Sequence, residues 1–259
     1  MRKIALLSLL TLVAVSLAAA GTVGASRHVA RAGGFSYCDN PTFPPMESTT
    51  KAGKPVGFDI DFANALGKQL GGKAKYVFSS FSGLLPALGA QRCDVVISGV
   101  FITPDRTKQF PAIPYMKTHR ALIVAAGNPK KITSPSGLAG TSVAVQAGTK
   151  YQQYLQGLQK KEKFTLHSYP GDSDAIGQLL IGRADAVLSQ DTEAAYSEAQ
   201  HPGKITIGYL FPAPDTFGIY YRKGDAIGAR IAAAIKAMKA NGTLDKLAAK
   251  YKIPAGDVK

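Results

Sequence analysis

Two short stretches of the chain are near copies of each other. Residues 91–98 read QRCDVVIS, and residues 182–189 read GRADAVLS. Each stretch follows an apolar helical pattern, turns at a polar pair and continues as an apolar strand that ends at serine. A helix-turn-strand unit that occurs twice favours a fold with two similar lobes, each of which has a sheet of its own.

Alternating helix and strand patterns extend this interpretation from residue 34 onward. Short apolar runs typical of buried strands stand between helical patterns such as that of Ile60, Ala63, Leu66 and Leu70. Such alternation is typical of α/β proteins with mostly parallel sheets and right-handed crossover connections. The runs predicted to be strands are residues 35–38, 76–78, 94–98, 142–146, 185–189 and 205–209.

Proline- and glycine-rich joints divide this alternating region. They lie at residues 111–114 and 127–129 on one side and at residues 211–214 on the other. The segment after the last joint can return to the first lobe, so the chain crosses between the lobes twice and a hinge is expected. The predicted lobes are residues 34–117 with 213–259, and residues 118–212.

Residues 1–25 are typical of a secretory signal peptide. Met1, Arg2 and Lys3 form a positive start, residues 4–20 are apolar, and residues 23–25 have the small side chains of a signal-peptidase site. The alternative is an uncleaved anchor helix. No cysteine stands beside the cleavage site, so no lipid anchor is expected. No later run is long enough to cross a bilayer, and we expect the mature chain to be exported.

The chain carries a formal net charge of +14. Its basic residues are scattered rather than interleaved with aromatic residues along one segment, so no nucleic-acid partner is expected. A solvated basic surface is the simplest interpretation, and steering of an acidic partner or a ligand carboxylate is the alternative. The histidines are isolated, and the sequence has no nucleophile elbow, metal motif or cofactor loop. We therefore expect no metal, no cofactor and no enzymatic activity.

The two cysteines stand at opposite ends of predicted strands. Cys38 closes the run 35–38, and Cys93 precedes the run 94–98. If the strands are parallel neighbours, a spacing of about 3.3 Å per residue separates the cysteines beyond the roughly 7 Å that a disulfide spans. Although two cysteines in an exported chain also suggest a disulfide, two free and buried thiols are expected.

Ligands of open α/β sheets bind beyond the carboxyl ends of the strands. The residues that follow the predicted strands are therefore candidate ligand contacts. In the first lobe these are Asn40, Phe43, Gly99, Phe101 and Arg106, and in the second lobe they are Gln146, Thr149 and Gln190.

Arg106 is the clearest of these candidates. Thr103 and Pro104 are typical of a helix start, which places Arg106 in a first helical turn. A cation is unfavourable at that positive end of a helix, and a carboxylate held by two hydrogen bonds would offset the cost. The alternative is a surface arginine paired with Asp105 or Asp94.

Six motifs occur in order along the chain. They are FPPME at residues 43–47, GKPVGFDID at 53–61, SGLLPAL at 82–88, ISGVFITPDR at 97–106, VAVQAGT at 143–149 and GRADAV at 182–187. This series resembles the polar amino-acid (family 3) group of bacterial extracellular solute-binding proteins, the periplasmic receptors of ABC importers. The resemblance implies a two-lobed Venus-flytrap fold of the periplasmic-binding-protein type, which closes on one small zwitterion. It also implies a periplasmic monomer that delivers its ligand to an inner-membrane ABC permease.

The resemblance assigns roles to particular residues. Arg106 corresponds to the arginine that binds the α-carboxylate of the ligand. Phe43 and Phe81 correspond to the aromatic residues that stack on the ligand. The residues that assist the arginine are Ser98, Gly99 and Thr149.

Two positions depart from the family pattern. Phe101 stands where a hydroxyl residue usually helps to hold the α-ammonium, and Gln190 stands where an aspartate is usual. Both departures weaken a site for a compact ammonium. Phe43, Phe81 and Phe101 would instead suit an aromatic cage around a delocalised cation, as in the ectoine-binding members of the family.

Two alternatives remain open. In the first, Phe101 is hydrophobic packing and the ligand is an ordinary polar or basic amino acid. In the second, the chain is a periplasmic dehydratase of a cyclic acid on the same fold, and Glu47 or Asp191 supplies the acid or base.

Overall fold

The computed structural model of the chain describes residues 34–258. The predicted signal peptide, residues 1–25, lies outside the described residues. The strands of the described part are β1 (Phe35–Asp39), β2 (Ser48–Thr49), β3 (Pro55–Val56), β4 (Ala74–Phe78), β5 (Val95–Val96), β6 (Ala112–Ala125), β7 (Ser142–Gln146), β8 (Thr165–Tyr169), β9 (Ala186–Gln190) and β10 (Ile205–Tyr221). Its helices are α1 (Phe58–Gln69), α2 (Leu84–Gly89), α3 (Pro104–Gln109), α4 (Lys150–Leu158), α5 (Asp172–Leu180), α6 (Asp191–Gln200), α7 (Ile227–Ala240) and α8 (Thr243–Lys250).

One continuous sheet joins most of these strands, in the order β4-β1-β5-β10-β6-β9-β7-β8. β1 is parallel to β4 and β5 at one end, and β7 is parallel to β8 and β9 at the other. We call these two parallel groups, each with its helices, the first and the second lobe. Between them, β6 and β10 are long antiparallel partners that carry the chain from one lobe to the other twice. The predicted two-lobed α/β fold with two crossings is confirmed. The prediction that each lobe has a sheet of its own is wrong, because β6 and β10 join the two parallel groups into one sheet.

β6 and β10 are longer than the sequence predicts. The proline-rich stretch at residues 211–214 interrupts their pairing without ending β10, because a register shift separates the pair Leu210 and Ala121 from the pair Pro214 and His119. Proline lacks the N–H that a central strand needs, and an irregularity in the ladder is where it is tolerated. Both predicted lobe boundaries, between 117 and 118 and between 212 and 213, fall inside these two strands.

The two repeated stretches perform the same structural task in the two lobes. A carboxylate oxygen of Asp94 accepts a hydrogen bond from the Ser36 backbone N–H (2.7 Å), and one of Asp185 accepts from the Ser142 backbone N–H (2.9 Å). The backbone N–H of each aspartate also donates to the carbonyl of the same serine, at 3.0 and 2.7 Å. Each aspartate therefore fixes the register of a parallel strand pair, and the predicted equivalence of the two stretches is confirmed.

Helix α1 shows how the apolar periodicity builds the core. Its residues Phe62, Ala63 and Leu66 are fully buried, and the rings of Phe58 and Phe62 stack with 6.0 Å between their centres. Burying each large apolar side chain contributes roughly 1.5–3 kcal/mol relative to leaving it in water. This packing carries Asp59, which is also fully buried, into the interior of the first lobe.

The prediction of two free thiols is wrong. Cys38 and Cys93 form a disulfide, with 5.6 Å between their Cα atoms. Because β5 begins only at Val95 and the residues before it lie in a bend, Cys93 does not extend that strand. The extended spacing assumed from the sequence therefore does not apply, and the Cα separation falls within the range that a disulfide spans.

Candidate ligand-binding site

A small cavity lies between the two lobes, at the carboxyl ends of their parallel strands. Its volume is about 20 Å³, which is room for about one water molecule. Most of the predicted ligand contacts line it, namely Asn40, Phe43, Phe81, Gly99, Gln146, Thr149 and Gln190. The lining residues that the sequence does not predict as ligand contacts are Glu47, Tyr151 and Asp172.

Phe101 packs behind the cavity wall rather than lining the cavity. Its ring stacks on that of Phe217, with 4.9 Å between ring centres, and the residue is 5% exposed. The ring of Tyr151 meets Phe101 edge-on at 5.3 Å and lies at the cavity. Phe101 therefore supports Tyr151 from behind, and a direct contact between Phe101 and a ligand stays a prediction.

Ser98 also lies behind the wall. Its hydroxyl accepts a hydrogen bond from the Asn40 backbone N–H (3.0 Å) and donates one to the Glu47 carboxyl (2.9 Å). Both partners line the cavity. Ser98 therefore orients cavity residues rather than facing the cavity.

Arg106 lies in the first turn of α3, as the sequence predicts. The Thr103 side chain caps this helix by accepting a hydrogen bond from the Arg106 backbone N–H at 3.4 Å. The Arg106 guanidinium donates to the Phe101 carbonyl (3.1 Å) and lies 5.9 Å from the ring centre of Phe81. Arg106 itself does not line the cavity, and its guanidinium lies beside Phe81, which does.

Within residues 34–258, no carboxylate forms an ion pair with Arg106. Asp105 pairs with Lys108 at 3.7 Å, and Asp94 pairs with Arg222 at 3.6 Å. The alternative of a surface arginine paired with either aspartate is therefore wrong. Burial lowers the pKa of the Arg106 guanidinium, but arginine remains charged near neutral pH. A partly buried cation without a counter-charge is suited to an anionic group of a ligand.

Three buried acids support the first-lobe wall, namely Asp39, Glu47 and Asp59. Burial, followed by the charge of Asp59, raises the pKa of both Asp39 and Glu47 well above its ordinary value. Burial raises the pKa of Asp59 to only about 6, because the Gly99 N–H and the Tyr115 hydroxyl donate to its carboxylate at 2.9 and 2.8 Å. The interaction between Glu47 and Asp59 raises the pKa of Glu47 and lowers that of Asp59, as expected when the proton resides on Glu47. The Glu47 side chain at the cavity therefore keeps its proton to a higher pH than an ordinary glutamate.

Asp172 is the acid of the second-lobe wall. Both of its carboxylate oxygens accept a hydrogen bond from the Ser189 hydroxyl, at 3.0 and 2.9 Å. Burial raises the pKa of Asp172 to about 7. Burial, followed by the charge of Asp172, raises the pKa of Glu193 well above its ordinary value. Glu193 therefore holds its proton more firmly than Asp172, and Asp172 carries a negative charge above about pH 7.

The sequence prediction misses Asp172 because it misses the preceding strand. β8 reads TLHSY and is largely exposed at the edge of the sheet, so it lacks the continuous apolar run of a buried strand. Asp172 follows the carboxyl end of β8, as Gln190 ends β9. The rule that selects residues at strand ends would have selected Asp172 if β8 had been recognised.

Direct hydrogen bonds join the two lobes beside the cavity. The Gln146 side-chain amide donates to the Asn40 side-chain oxygen (2.9 Å) and to the Thr42 hydroxyl (3.2 Å). The Ser173 backbone N–H donates to the Thr42 carbonyl at 2.9 Å. These contacts and the small cavity describe a closed arrangement, which must open before a molecule larger than water can enter.

The surface outside the cavity offers no competing centre within residues 34–258. No group of three or more histidines, cysteines and acids there could hold a metal ion. No helix in that part of the chain has the length and apolar character needed to cross a membrane. A larger groove of about 710 Å³ lies between α1, α7 and α8, but it is away from the strand ends that carry the candidate residues.

Comparison with known proteins gives consistent matches. The family described as bacterial extracellular solute-binding proteins, family 3, matches residues 36–254. The chain is 30% identical over 217 residues to an arginine-binding periplasmic protein of Mannheimia haemolytica, which covers 82% of this chain and 88% of that protein. Among solved structures, an ancestral arginine-binding protein bound to arginine has a TM-score of 0.80 and 34% identity, with 85% of this chain and 98% of that chain covered. The ancestral amino acid-binding protein AncCDT-1, a precursor of cyclohexadienyl dehydratase, has a TM-score of 0.76 and 32% identity, with 85% and 95% covered.

Proposed function

The chain belongs to the bacterial extracellular solute-binding proteins, family 3, and from this premise we propose that it is the periplasmic substrate-binding component of an ABC importer. Its ligand is a small zwitterionic amino acid or amino-acid derivative, which it captures by closure of the two lobes. The periplasmic location named for the relative from Mannheimia haemolytica supports the proposed location. The partner is an inner-membrane ABC permease, and the protein acts as a monomer.

The observation that carries this proposal is the guanidinium of Arg106 next to Phe81, a residue that lines the cavity between the lobes. The guanidinium carries five N–H groups, so its contacts with the Phe101 carbonyl and the Tyr220 hydroxyl leave other N–H groups for a ligand. A planar guanidinium matches a carboxylate through two parallel hydrogen bonds. Glu47 lines the same wall, and its raised pKa weakens its repulsion of an anion.

The ligand is a polar or basic amino acid in the version that we favour, and an ectoine-like molecule in the alternative. Phe43 and Phe81 line the cavity and suit either one. The packing of Phe101 against Phe217 favours the amino acid, because it removes the third wall of the proposed cage. The names of the arginine-binding relatives support the same choice.

Closure uses the two long strands as its hinge. We place the lobe boundaries near residues 117–118 and 212–213, where β6 and β10 cross between the lobes. The register shift between Leu210 and Pro214 leaves this part of the ladder incompletely paired. An incompletely paired segment adapts to changes in backbone angle more easily than a regular ladder, as hinge closure requires.

Variants of α3 test the proposal. A thermal-shift screen against amino acids, ectoine, glycine betaine and opines first identifies the ligand. A hundredfold excess of ligand over its dissociation constant raises the free energy of unfolding by about 2.7 kcal/mol. Arg106→Ala should then weaken binding of that ligand by more than about 2 kcal/mol in calorimetric titration, because a desolvated carboxylate loses its partner.

The matched control is Lys108→Ala, which removes an exposed charge from the same helix. This variant should bind the ligand as the wild type does. Near-normal binding by Arg106→Ala, or the absence of any ligand in the screen, would contradict the proposed function.

Dehydration of a cyclic acid is the alternative function. One observation favours it: Asp172 lines the cavity and burial raises its pKa to about 7, which suits a general acid near neutral pH. The two acids that the sequence suggests for this reaction are less suitable. Glu47 interacts with Asp59. Asp191 accepts a hydrogen bond from Thr118 (2.7 Å) and does not line the cavity. Incubation with prephenate or arogenate decides between the functions, since only the dehydratase forms a product.

A further inference from the structure

Asp172 and Tyr151 carry polar groups that the binding of a carboxylate does not use. We propose that these two residues form the seat for the cationic end of the ligand. We expect this seat to take cations that carry N–H groups, such as an ammonium or a guanidinium, in preference to fully alkylated ones. The inference rests on the proposed binding function. It assigns residues to the cationic end of the ligand, where Phe101 and Gln190 replace the residues that are usual in the family.

The Asp172 carboxylate has fewer partners than its charge requires. An ionised carboxylate offers about four acceptor positions, and in the described part of the chain the Ser189 hydroxyl is the donor to it. No lysine, arginine or histidine among residues 34–258 forms an ion pair with Asp172. The residue is 3% exposed. A buried charge without a counter-ion is strongly unfavourable, and a ligand cation in the cavity would relieve that cost.

Tyr151 provides an independent observation at the same place. It lines the cavity and is 3% exposed, and its hydroxyl has no hydrogen-bond partner among the described residues. Burial, followed by the charges of Asp215 and Asp172, raises the pKa of Tyr151 well above its ordinary value. The hydroxyl is therefore neutral and available as an acceptor near Asp172. Buried hydroxyls are normally paired, so this one is suited to a ligand.

The distribution of charge gives the ligand a direction. The first lobe has the cation Arg106, which forms no ion pair within residues 34–258, and a Glu47 whose pKa is raised, whereas the second-lobe wall has Asp172, which is negative above about pH 7. A zwitterion between the lobes therefore places its carboxylate toward Arg106 and its cation toward Asp172. The two positions where the family pattern would hold an ammonium are a neutral amide at Gln190 and a packed ring at Phe101.

The chemistry of the seat selects among cations. A carboxylate and a phenol oxygen accept hydrogen bonds, which an ammonium, guanidinium or amidinium donates. A quaternary ammonium has no N–H group and would leave both acceptors unsatisfied in a buried site. The seat therefore discriminates against betaines, which the three-phenylalanine cage would accept.

Conservative variants of the two residues test the inference. Calorimetric titration at about pH 8 compares L-arginine, L-lysine, ectoine and glycine betaine with the wild type, and the tightest of the four becomes the probe. Asp172→Asn should lower the affinity for that probe about 30-fold or more, as loss of one partner of a buried charge pair does. Tyr151→Phe should lower it about 10-fold.

Two control variants are matched to these changes. Glu198→Gln removes an exposed charge from α6, and Tyr154→Phe removes a hydroxyl from α4, the helix that carries Tyr151. Both should bind the probe within about twofold of the wild type. The ligand-free Asp172→Asn protein should unfold at the temperature of the wild type or higher, because it no longer buries a charge. A loss of affinity then reflects the ligand contact rather than the fold.

Three outcomes would overturn the inference. In the first, Asp172→Asn binds the probe as tightly as the wild type while Arg106→Ala has lost binding. That result would leave the proposed function intact. Another is tighter binding of glycine betaine than of the N–H-bearing probes by the wild type. A wild type that binds none of the four probes overturns this inference, and the wider screen described above then decides on the proposed function.

Discussion

The disulfide between Cys38 and Cys93 leads to a prediction about the stability of the first lobe. The bond joins residues with a sequence separation of 55. In the chain-entropy treatment, a closed loop of this size restricts the unfolded state by about 4 kcal/mol. For a chain of this length, about 2–4 °C of melting temperature corresponds to each kcal/mol. Loss of the bond should therefore lower the melting temperature by about 8–16 °C.

The assay compares three forms of the protein in urea unfolding. The oxidised wild type is the reference, and wild type reduced in denaturant and refolded with reductant loses only the covalent link. The variant Cys38→Ala with Cys93→Ala loses the link and two sulfur atoms from a cluster in which both residues are at most 1% exposed. It should lose about 1–2 kcal/mol more than the reduced wild type, because the deletion leaves a cavity.

The result that would refute this reasoning is a reduced wild type within about 1 kcal/mol of the oxidised protein. Iodoacetamide labelling in denaturant without reductant is the accompanying control. It should modify neither cysteine of the oxidised wild type and both cysteines after reduction. Labelling of both without reduction would show that the bond is absent.

Two further predictions concern the cavity. Burial raises the pKa of Asp172 from 3.8 to about 7. Between these two pH values, the folded protein therefore binds more protons than the unfolded chain. The contribution of Asp172 to the free energy of unfolding consequently falls as the pH rises through this range. Asp172→Asn should remove that decline, which urea unfolding between about pH 4 and pH 8 measures. Equal changes in the free energy of unfolding of wild type and variant over this range would contradict the prediction. Gly148→Ala should oppose lobe closure, because a Cβ at Gly148 would lie 2.9 Å from Cβ of Ser82 in the facing lobe and the backbone φ there is +76°. Small-angle scattering should then show ligand-induced compaction in the wild type but less in this variant, and equal compaction in both would refute the steric argument.

The strand ends of the candidate site could be predicted from the sequence because local patterns specify them. Apolar runs identify β7 and β9, and the side chains of Gln146 and Gln190 at their ends reach the cavity. The capping threonine before Pro104 likewise identifies the start of α3 and the place of Arg106. These features depend on neighbours in sequence, which is the information that a pattern contains.

Other features of the site depend on contacts between distant residues, and no local pattern contains them. Phe101 has an aromatic side chain in the expected place, yet its direction is set by packing against Phe217. Asp94, one of the two partners considered for Arg106, pairs instead with Arg222, which is 128 residues away in sequence. The disulfide depends on a bend before β5 that contradicts the extended geometry assumed for that strand.

The place of β10 in the sheet bears on how this chain folds. β10 is the last strand in sequence, yet it lies in the middle of the sheet, between β5 and β6. Until it inserts, β5 and β6 each present an open edge, and such edges pair with other chains. A fragment that stops before Ile205 should therefore expose two unpaired edges and aggregate, whereas the second-lobe strands β6, β9, β7 and β8 can pair without any later residue. Assembly of the full sheet then waits for a contact between residues far apart in sequence, which predicts slow folding.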